Sequence, residues 1–240
     1  MSPSGKRTPR SRWPGDWWAR WTHSAAGLYA WRKGFMTLLR RLVKQVVGYD
    51  DQSLARFDWT WRDCYRRTMR NASVLDVGCG PGDHSTEVMR FGQASRYFGV
   101  DISPGMIRSA AGSFPEHRFC VADGCELPLR DRSIDVVIAC FSFHHIEQDK
   151  RAAALKELMR VARATVIVRD LMGVGRGFRG WLYQAYYSIV DGSFHRYTLR
   201  EWRTLMGPAG MTQEFHTDET ALVNRHCCFV ITIDDTHMSH

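Results

Sequence analysis

Short apolar runs alternate with amphipathic, helix-length stretches through most of this chain. Val74–Val77 is one such run, and Gly78, Gly80 and Gly82 follow it at alternate positions. Arg96–Val100, Arg118–Val121, Ile134–Cys140 and Thr165–Arg169 predict four more strands, and Met211–His216 and His226–Ile233 the last two. Between them, Asp83–Phe91, a stretch from Ser103 to about Gly112, and Gln148–Ala162 carry helical periodicity, with Ser103 placed as an N-cap. Thr198 opens a further helix to about Met206, and Glu201 stands three residues on, the spacing of a capping box. Ile134–Cys140 (IDVVIAC) is nearly continuous in apolar residues, as a strand covered on both faces must be. Strand–helix alternation at this spacing predicts an α/β fold, a doubly wound and mostly parallel sheet.

The first third of the chain reads differently. Residues 1–15 hold Ser, Pro, Gly and Arg and are expected to be a mobile basic leader. Trp17 to about Val47 is helical in pattern, with Phe35, Leu38, Leu39, Leu42, Val43, Val46 and Val47 on one face. Arg32, Lys33, Arg40, Arg41 and Lys44 lie mostly on the other. One reading is a lid or flanking helix packed on a core; the other is a basic helix lying on an anionic membrane or an acidic carrier. The first is favoured, because most amphipathic helices cover a core. Residues 51–70 predict one more helix. The expected organisation is thus a leader over 1–15, a helical lid or flanking segment over 16–70, a ligand-binding domain over 71–233, and a tail over 234–240. Within that domain, 170–197 forms an aromatic insertion, with Trp181, Tyr183, Tyr186 and Tyr187 on a helix able to cover a pocket mouth.

Composition sharpens this division. The 240 residues carry a net charge of +8, but residues 1–70 hold 15 Lys+Arg against 5 Asp+Glu, a net of +10. A near-neutral domain therefore carries a basic, Trp-rich leader, unlike a uniformly basic nucleic-acid binder. The seven cysteines form no CxxC pair, which reads as buried free thiols in a reducing compartment, with no metal site. No apolar run of about 18 residues and no signal-peptide pattern occur, so the expected location is cytoplasmic, with membrane-peripheral contact as the alternative.

The chemistry gathers at the strand ends. Asp76, Asp101 and Asp123 fall at the ends of successive strands, and in a parallel sheet those ends share one edge. A nucleoside with an amino-acid tail would use all three. Asp101 can accept two ribose hydroxyls, Asp123 an adenine amino group beside the backbone of Ala122 and Gly124, and Asp76 can act near the tail's ammonium. No Arg or Lys in the turn is offered to a pyrophosphate.

With these residues in view, the sequence resembles the class I S-adenosylmethionine-dependent methyltransferases, particularly the small-molecule group that includes ubiquinone/menaquinone-type enzymes. The resemblance runs from about Ser73 to Ile233. It rests on VLDVGCGPGDHS, FGVDISPGMI, ADGCELPLRDRSIDVVIACFSFHHIE and ELMRVAR. It implies a Rossmann-like, seven-stranded sheet with a final antiparallel strand. It also implies a cofactor, S-adenosyl-L-methionine, and the product S-adenosyl-L-homocysteine. Asp76, Gly78, Cys79, Gly80 and Gly82 would line the methionine part, Asp101, Ile102 and Met106 the ribose side, and Ala122, Asp123 and Gly124 the adenine. Cys140, Phe141 and His145 would sit under the sulfonium. Two departures stand out. A Pro-Gly-Gly turn before the fifth strand is replaced by Ala164-Thr165. The fourth strand exits into Cys140-Phe141-Ser142-Phe143, not the Asn/Asp-Pro-Pro-Tyr/Phe associated with methylation of nucleic-acid bases.

Methyl transfer from a sulfonium requires alignment and exclusion of water, and a hydroxyl nucleophile also needs a base. His144 and His195 are the candidate bases. Tyr183, Tyr186, Tyr187 and Arg196, with Arg169, are candidates to line the acceptor pocket. The expected reaction is methylation of an oxygen or nitrogen of a small-molecule acceptor. Alternatives are methylation of a peptide or RNA gripped by the basic leader, a non-catalytic cofactor-binding protein, and a nicotinamide-dependent oxidoreductase. Against the last, the turn is GxGxG and its acidic residue precedes it.

Overall fold

The computed structural model of the chain describes residues 51–173, 196–217 and 225–233, with side chains from Ala55 onward. The leader, the Trp17–Val47 helix, the aromatic helix with Tyr183, Tyr186 and Tyr187, His195 and the tail lie outside the described residues.

The described residues begin with helix α1 (Asp51–Met69), then β1 (Ser73–Val77), the glycine turn and α2 (His84–Glu87), which passes into a π-turn over Val88–Gly92. Next come β2 (Arg96–Asp101), α3 (Pro104–Ser113), β3 (Arg118–Val121), β4 (Ile134–Cys140), α4 (Arg151–Val161) and β5 (Ala162–Leu171). The last elements are α5 (Leu199–Met206), β6 (Met211–His216) and β7 (His226–Thr232). Among the described residues the strands form one seven-stranded sheet in the order β3-β2-β1-β4-β5-β7-β6. The pairs among β1 to β5 are parallel, and β7 runs antiparallel between β5 and β6. This is the predicted doubly wound sheet with an antiparallel final strand.

Period-2 alternation splits the central strands between two layers. Val137 and Ala139 of β4, Val166 and Val168 of β5, and Phe229 and Ile231 of β7 face one layer, closed by Leu155 and Leu158 of α4 and Trp202 of α5. Val136, Ile138, Ile167, Cys228 and Val230 face the other. There α1 lays down Phe57, Trp61, Cys64, Tyr65 and Met69, a stripe at helical spacing. Helix α1 precedes the glycine turn in sequence yet belongs to the same core. The predicted caps are present: Ser103 accepts from the Met106 N–H, and Thr198 and Glu201 close a reciprocal capping box at α5.

Four expectations need correction in detail. Strand β5 is longer than Thr165–Arg169, because a bulge opposite Ile134–Val136 lets Ala162 pair with Ile134, and β7 holds the far end through Leu171–His226. The helix expected from Gln148 starts at Arg151, since the preceding residues form a turn closed by the Lys150 N–H on Glu147 O. The helix after the glycine turn widens into a π-turn, which seats Gly92 against Met69 of α1; a Cβ on Gly92 would stand 2.9 Å from the Met69 sulfur. Five cysteines are buried as expected, but Cys120, on the edge strand β3, is exposed, and Cys125, in the turn that follows, is half-buried.

Candidate active site

In the strand order, β1 lies between β2 and β4, so the sheet's winding reverses at the carboxyl end of β1. Open α/β sheets bind ligands at such a switch point. The glycine turn sits there. Gly78, Gly80 and Gly82 all have positive φ, at 77°, 54° and 85°. Gly78 is fixed twice over, since a Cβ would also stand 2.4 Å from the Ser142 Cβ. A Cβ on Gly80 would meet nothing within 4 Å, so open space faces the middle of the turn.

Strand β2 delivers Asp101 to the same place. Its Oδ2 accepts the Gly80 N–H at 2.9 Å, and its Oδ1 accepts the Ser103 N–H at 2.8 Å. Burial raises its pKa, against the lowering effect of those two hydrogen bonds. Each oxygen retains a lone pair for a further donor. Asp123, exposed, accepts the Cys125 N–H at 2.8 Å. Gly124 lies over the end of β1, where a Cβ would stand 3.0 Å from Val77. The Ala122 N–H bonds to Asp101 O, so the β2 and β3 exits are tied together. Ile102 stands out at 68% exposure, whereas Cys79 and Met106 are buried in the packing beneath the turn. Burial, with Asp76 and Asp101 nearby, pushes the Cys79 thiol far up.

Asp76 is 1% exposed. Its Oδ2 accepts the Tyr97 O–H at 2.7 Å, while its Oδ1 has no hydrogen-bond partner. Burial and the adjacent Asp76 hold the Tyr97 phenol well above its ordinary range, so it remains the donor. His84, the first residue of α2, faces Asp76 with Nδ1 at 3.5 Å, an ion-pair distance without a completed hydrogen bond. Its Nε2 lies 3.2 Å from Glu87 Oε2 and 3.3 Å from the Tyr65 hydroxyl. Burial opposes the charging of His84, but the Cys140 sulfur, Asp76 and Glu87 outweigh it and hold the imidazole well above its ordinary pKa.

The β4 exit supplies the other wall. Cys140 is buried, with its sulfur 3.1 Å from the Tyr65 hydroxyl. Phe141 takes a φ of 54°, strain that a non-glycine residue sustains only where its surroundings enforce it. Its N–H bonds to Arg169 O, and the Arg169 guanidinium lies 4.8 Å from its ring and 4.0 Å from that of Trp61. His145 is exposed; the ring of His144, 4.1 Å away, is buried. His144 Nδ1 lies 2.5 Å from Asp170 Oδ1, and its backbone N–H bonds to Asp170 Oδ2 at 3.0 Å. Arg151 secures the same loop from behind, donating to Ile146 O and stacking over Tyr197 at 4.1 Å. Arg196 is buried, with its backbone beside Gly173. Among the described residues, no group of three or more His, Cys, Asp or Glu is placed to hold a metal ion.

The predicted turn, Asp101, the β3 exit and the β4 exit therefore converge on one edge. Sequence reading missed Tyr65, His84, Tyr97 and Asp170. Two of these were legible: His84 belongs to the glycine motif itself, and Asp170 is an acidic residue at a strand end, like Asp76, Asp101 and Asp123.

Residues 74–165, spanning these exits from β1 into β5, match the methyltransferase domain family. This stretch is similar to methyltransferase domains. Its relatives include an uncharacterized methyltransferase of Mycolicibacterium gilvum, 33% identical over 113 residues, which cover 46% of this chain and 43% of that protein. A demethylmenaquinone methyltransferase of Roseiflexus sp. is 31% identical over 100 residues, 41% of each chain. The chain thus spans less than half the length of these curated relatives. Among solved structures, magnesium protoporphyrin IX methyltransferase from Synechocystis, with bound S-adenosylmethionine, superposes with a TM-score of 0.59 at 16% identity. That match covers 94% of this chain and all of the other, and shows a shared Rossmann-like methyltransferase fold.

Proposed function

We propose that the chain is an S-adenosylmethionine-dependent methyltransferase that methylates a hydroxyl oxygen of a small-molecule acceptor. The residues present suit this cofactor. Open space at Gly80 admits a ligand against the backbone, Asp101 has acceptor capacity for ribose hydroxyls, and Asp76 Oδ1 is a buried acceptor without a donor. When bound, S-adenosylmethionine supplies an electrophilic methyl group on a sulfonium.

The observation that carries the acceptor chemistry is the His144–Asp170 pair beside the β4 exit. A carboxylate only accepts, so the bridging proton sits on Nδ1 and Nε2 is the acceptor atom of the ring. Asp170 fixes that tautomer and stabilises the imidazolium formed when Nε2 takes a hydroxyl proton. Phe141 and Cys140 form the adjacent wall at the β4 exit. His195, outside the described residues, stays a second candidate base, and Tyr183, Tyr186, Tyr187 and Arg196 stay candidates for the acceptor pocket. The test is transfer of labelled methyl from S-adenosylmethionine to a panel of phenols, quinols and amines. Labelled ethers support the proposal; label found only on amines overturns the hydroxyl assignment.

A second reading, methylation of RNA or a peptide, draws on the outer face of α1. There Arg56, Trp59, Arg66 and Arg67 are exposed, Trp59 at 71%, and Arg70 is exposed in the turn that follows. RNA binding that weakens steeply with salt would favour it. Among the described residues no helix is long and apolar enough to cross a membrane.

A further inference from the structure

Helix α1 has a complete core side. Phe57, Trp61, Cys64, Tyr65 and Met69 fill it and are buried. Trp59 stands on the other side, about 160° around the helix from the middle of that stripe, at 71% exposure. Arg56, Arg66 and Arg67 share this outer side, and Arg70 continues it in the turn beyond the helix. The π-turn extends it through Phe91, whose ring lies 4.7 Å from the Arg62 guanidinium and 5.4 Å from that of exposed Arg90. One acid, Asp63, faces the same way and is paired with Arg67 at 3.2 Å. Among the described residues, Arg56, Arg66, Arg70 and Arg90 carry no ion pair.

A tryptophan ringed by guanidinium groups adds nothing to a core that is already filled. Whatever covers this face must take an aromatic ring and positive charge together. The preceding chain repeats the combination. Residues 1–50 hold 10 Lys+Arg against 2 Asp+Glu, with five tryptophans, and Trp17–Val47 adds an apolar stripe with basic residues mostly opposite. Nucleic acid would use the cations and stack on a ring, but it has no use for the apolar stripe. The surface of an anionic bilayer uses all three. Lipid phosphates attract arginine, tryptophan settles at the headgroup level, and apolar side chains reach the acyl boundary.

We propose that the outer face of α1 docks the protein on a membrane rich in anionic phospholipid. Trp59 enters the headgroup layer, and Arg56, Arg66, Arg70 and Arg90 meet the lipid phosphates. The core side of the same helix reaches the candidate active site. The Trp61 ring lies 4.0 Å from the Arg169 guanidinium, the Tyr65 hydroxyl 3.1 Å from the Cys140 sulfur, and the Phe57 ring 5.6 Å from that of His226. One helix thickness, about 10 Å, therefore separates the docked face from the strand exits. A docked chain holds those exits within reach of an acceptor dissolved in the bilayer. That consequence rests on the methyltransferase reading above; the docking does not.

The test is sedimentation of the full chain with vesicles of phosphatidylcholine alone, or of phosphatidylcholine with about 30% phosphatidylglycerol, as salt is raised. Wild type is expected to bind the anionic vesicles at least about 10-fold more tightly than the neutral ones, a preference that salt removes. Arg66→Glu combined with Arg70→Glu is expected to weaken anionic binding at least about 10-fold, and Trp59→Ala about 10-fold. All three positions are exposed, so both variants are expected to melt as wild type does; if one does not, the other decides alone. Anionic binding left unchanged by the variants overturns the assignment to α1. Failure of wild type to bind either vesicle overturns the docking and leaves the methyltransferase reading standing. Binding of single-stranded RNA instead, weakened in the arginine variant, gives the face to nucleic acid and also overturns it.

Discussion

His144 and Asp170 meet twice: ring Nδ1 to Oδ1 at 2.5 Å, and backbone N–H to Oδ2 at 3.0 Å. The pair joins the exits of β4 and β5 and sets both the orientation and the tautomer of the imidazole. Asp170→Asn keeps one acceptor oxygen for the two His144 donors, so either Nδ1–H or the backbone N–H would face an amide donor. Turnover is expected to fall about 10²–10⁴-fold, the usual contribution of a general base, with affinity for S-adenosylhomocysteine little changed. Unchanged turnover would remove His144 from the chemistry.

Gly78 and Gly80 separate stability from binding. Gly78→Ala combines a left-handed φ with a 2.4 Å clash against Ser142, and is expected to cost about 2–4 kcal/mol in a denaturant titration. Gly80→Ala carries the φ strain alone, about 1–2 kcal/mol, but its methyl would enter the open space at the turn. Its loss of S-adenosylhomocysteine affinity is therefore expected to exceed that of any equally destabilised variant elsewhere.

The linked pair His84–Glu87 predicts a pH window for stability. His84 is held above its ordinary pKa, so its contribution is complete below about pH 6.5 and is lost as pH rises through the folded-state value. Burial works against ionising Glu87, but His84 and Arg169 outweigh it and lower its pKa. Its contribution is therefore complete above about pH 4.3 and is lost as pH falls through the folded-state value. His84→Gln is expected to flatten the alkaline side of the stability profile. An alkaline limb identical to wild type would contradict the assigned charge.

Asp101 ties the β2 exit to the glycine turn through Gly80 and Ser103. Asp101→Ala is expected to reduce S-adenosylhomocysteine binding at least about 10-fold, because a charged acceptor and the turn's anchor are lost together. Unchanged affinity would sink the assignment of Asp101 to the ribose.

Much of this was readable from the residues. The apolar run of β4 marked a central strand, and Ser103 and Thr198 marked helix starts through local hydrogen bonds that tertiary contacts do not override. The shared edge of Asp76, Asp101 and Asp123 follows from parallel pairing alone. What stayed hidden depends on contacts distant in sequence. Tyr65 reaches Cys140 across 75 positions, and Arg169 reaches Glu87 across 82. No local pattern announces such pairs. Likewise, the π-turn at Val88–Gly92 is fitted to Met69 on another helix, and the burial of Met106 and Cys79 follows from the layers packed around them.

Calorimetric titration of the full chain with S-adenosylhomocysteine and, separately, with NAD tests the central claim most directly. Saturable one-to-one binding of S-adenosylhomocysteine, with none of NAD, is the predicted result. Binding of NAD without S-adenosylhomocysteine would contradict it.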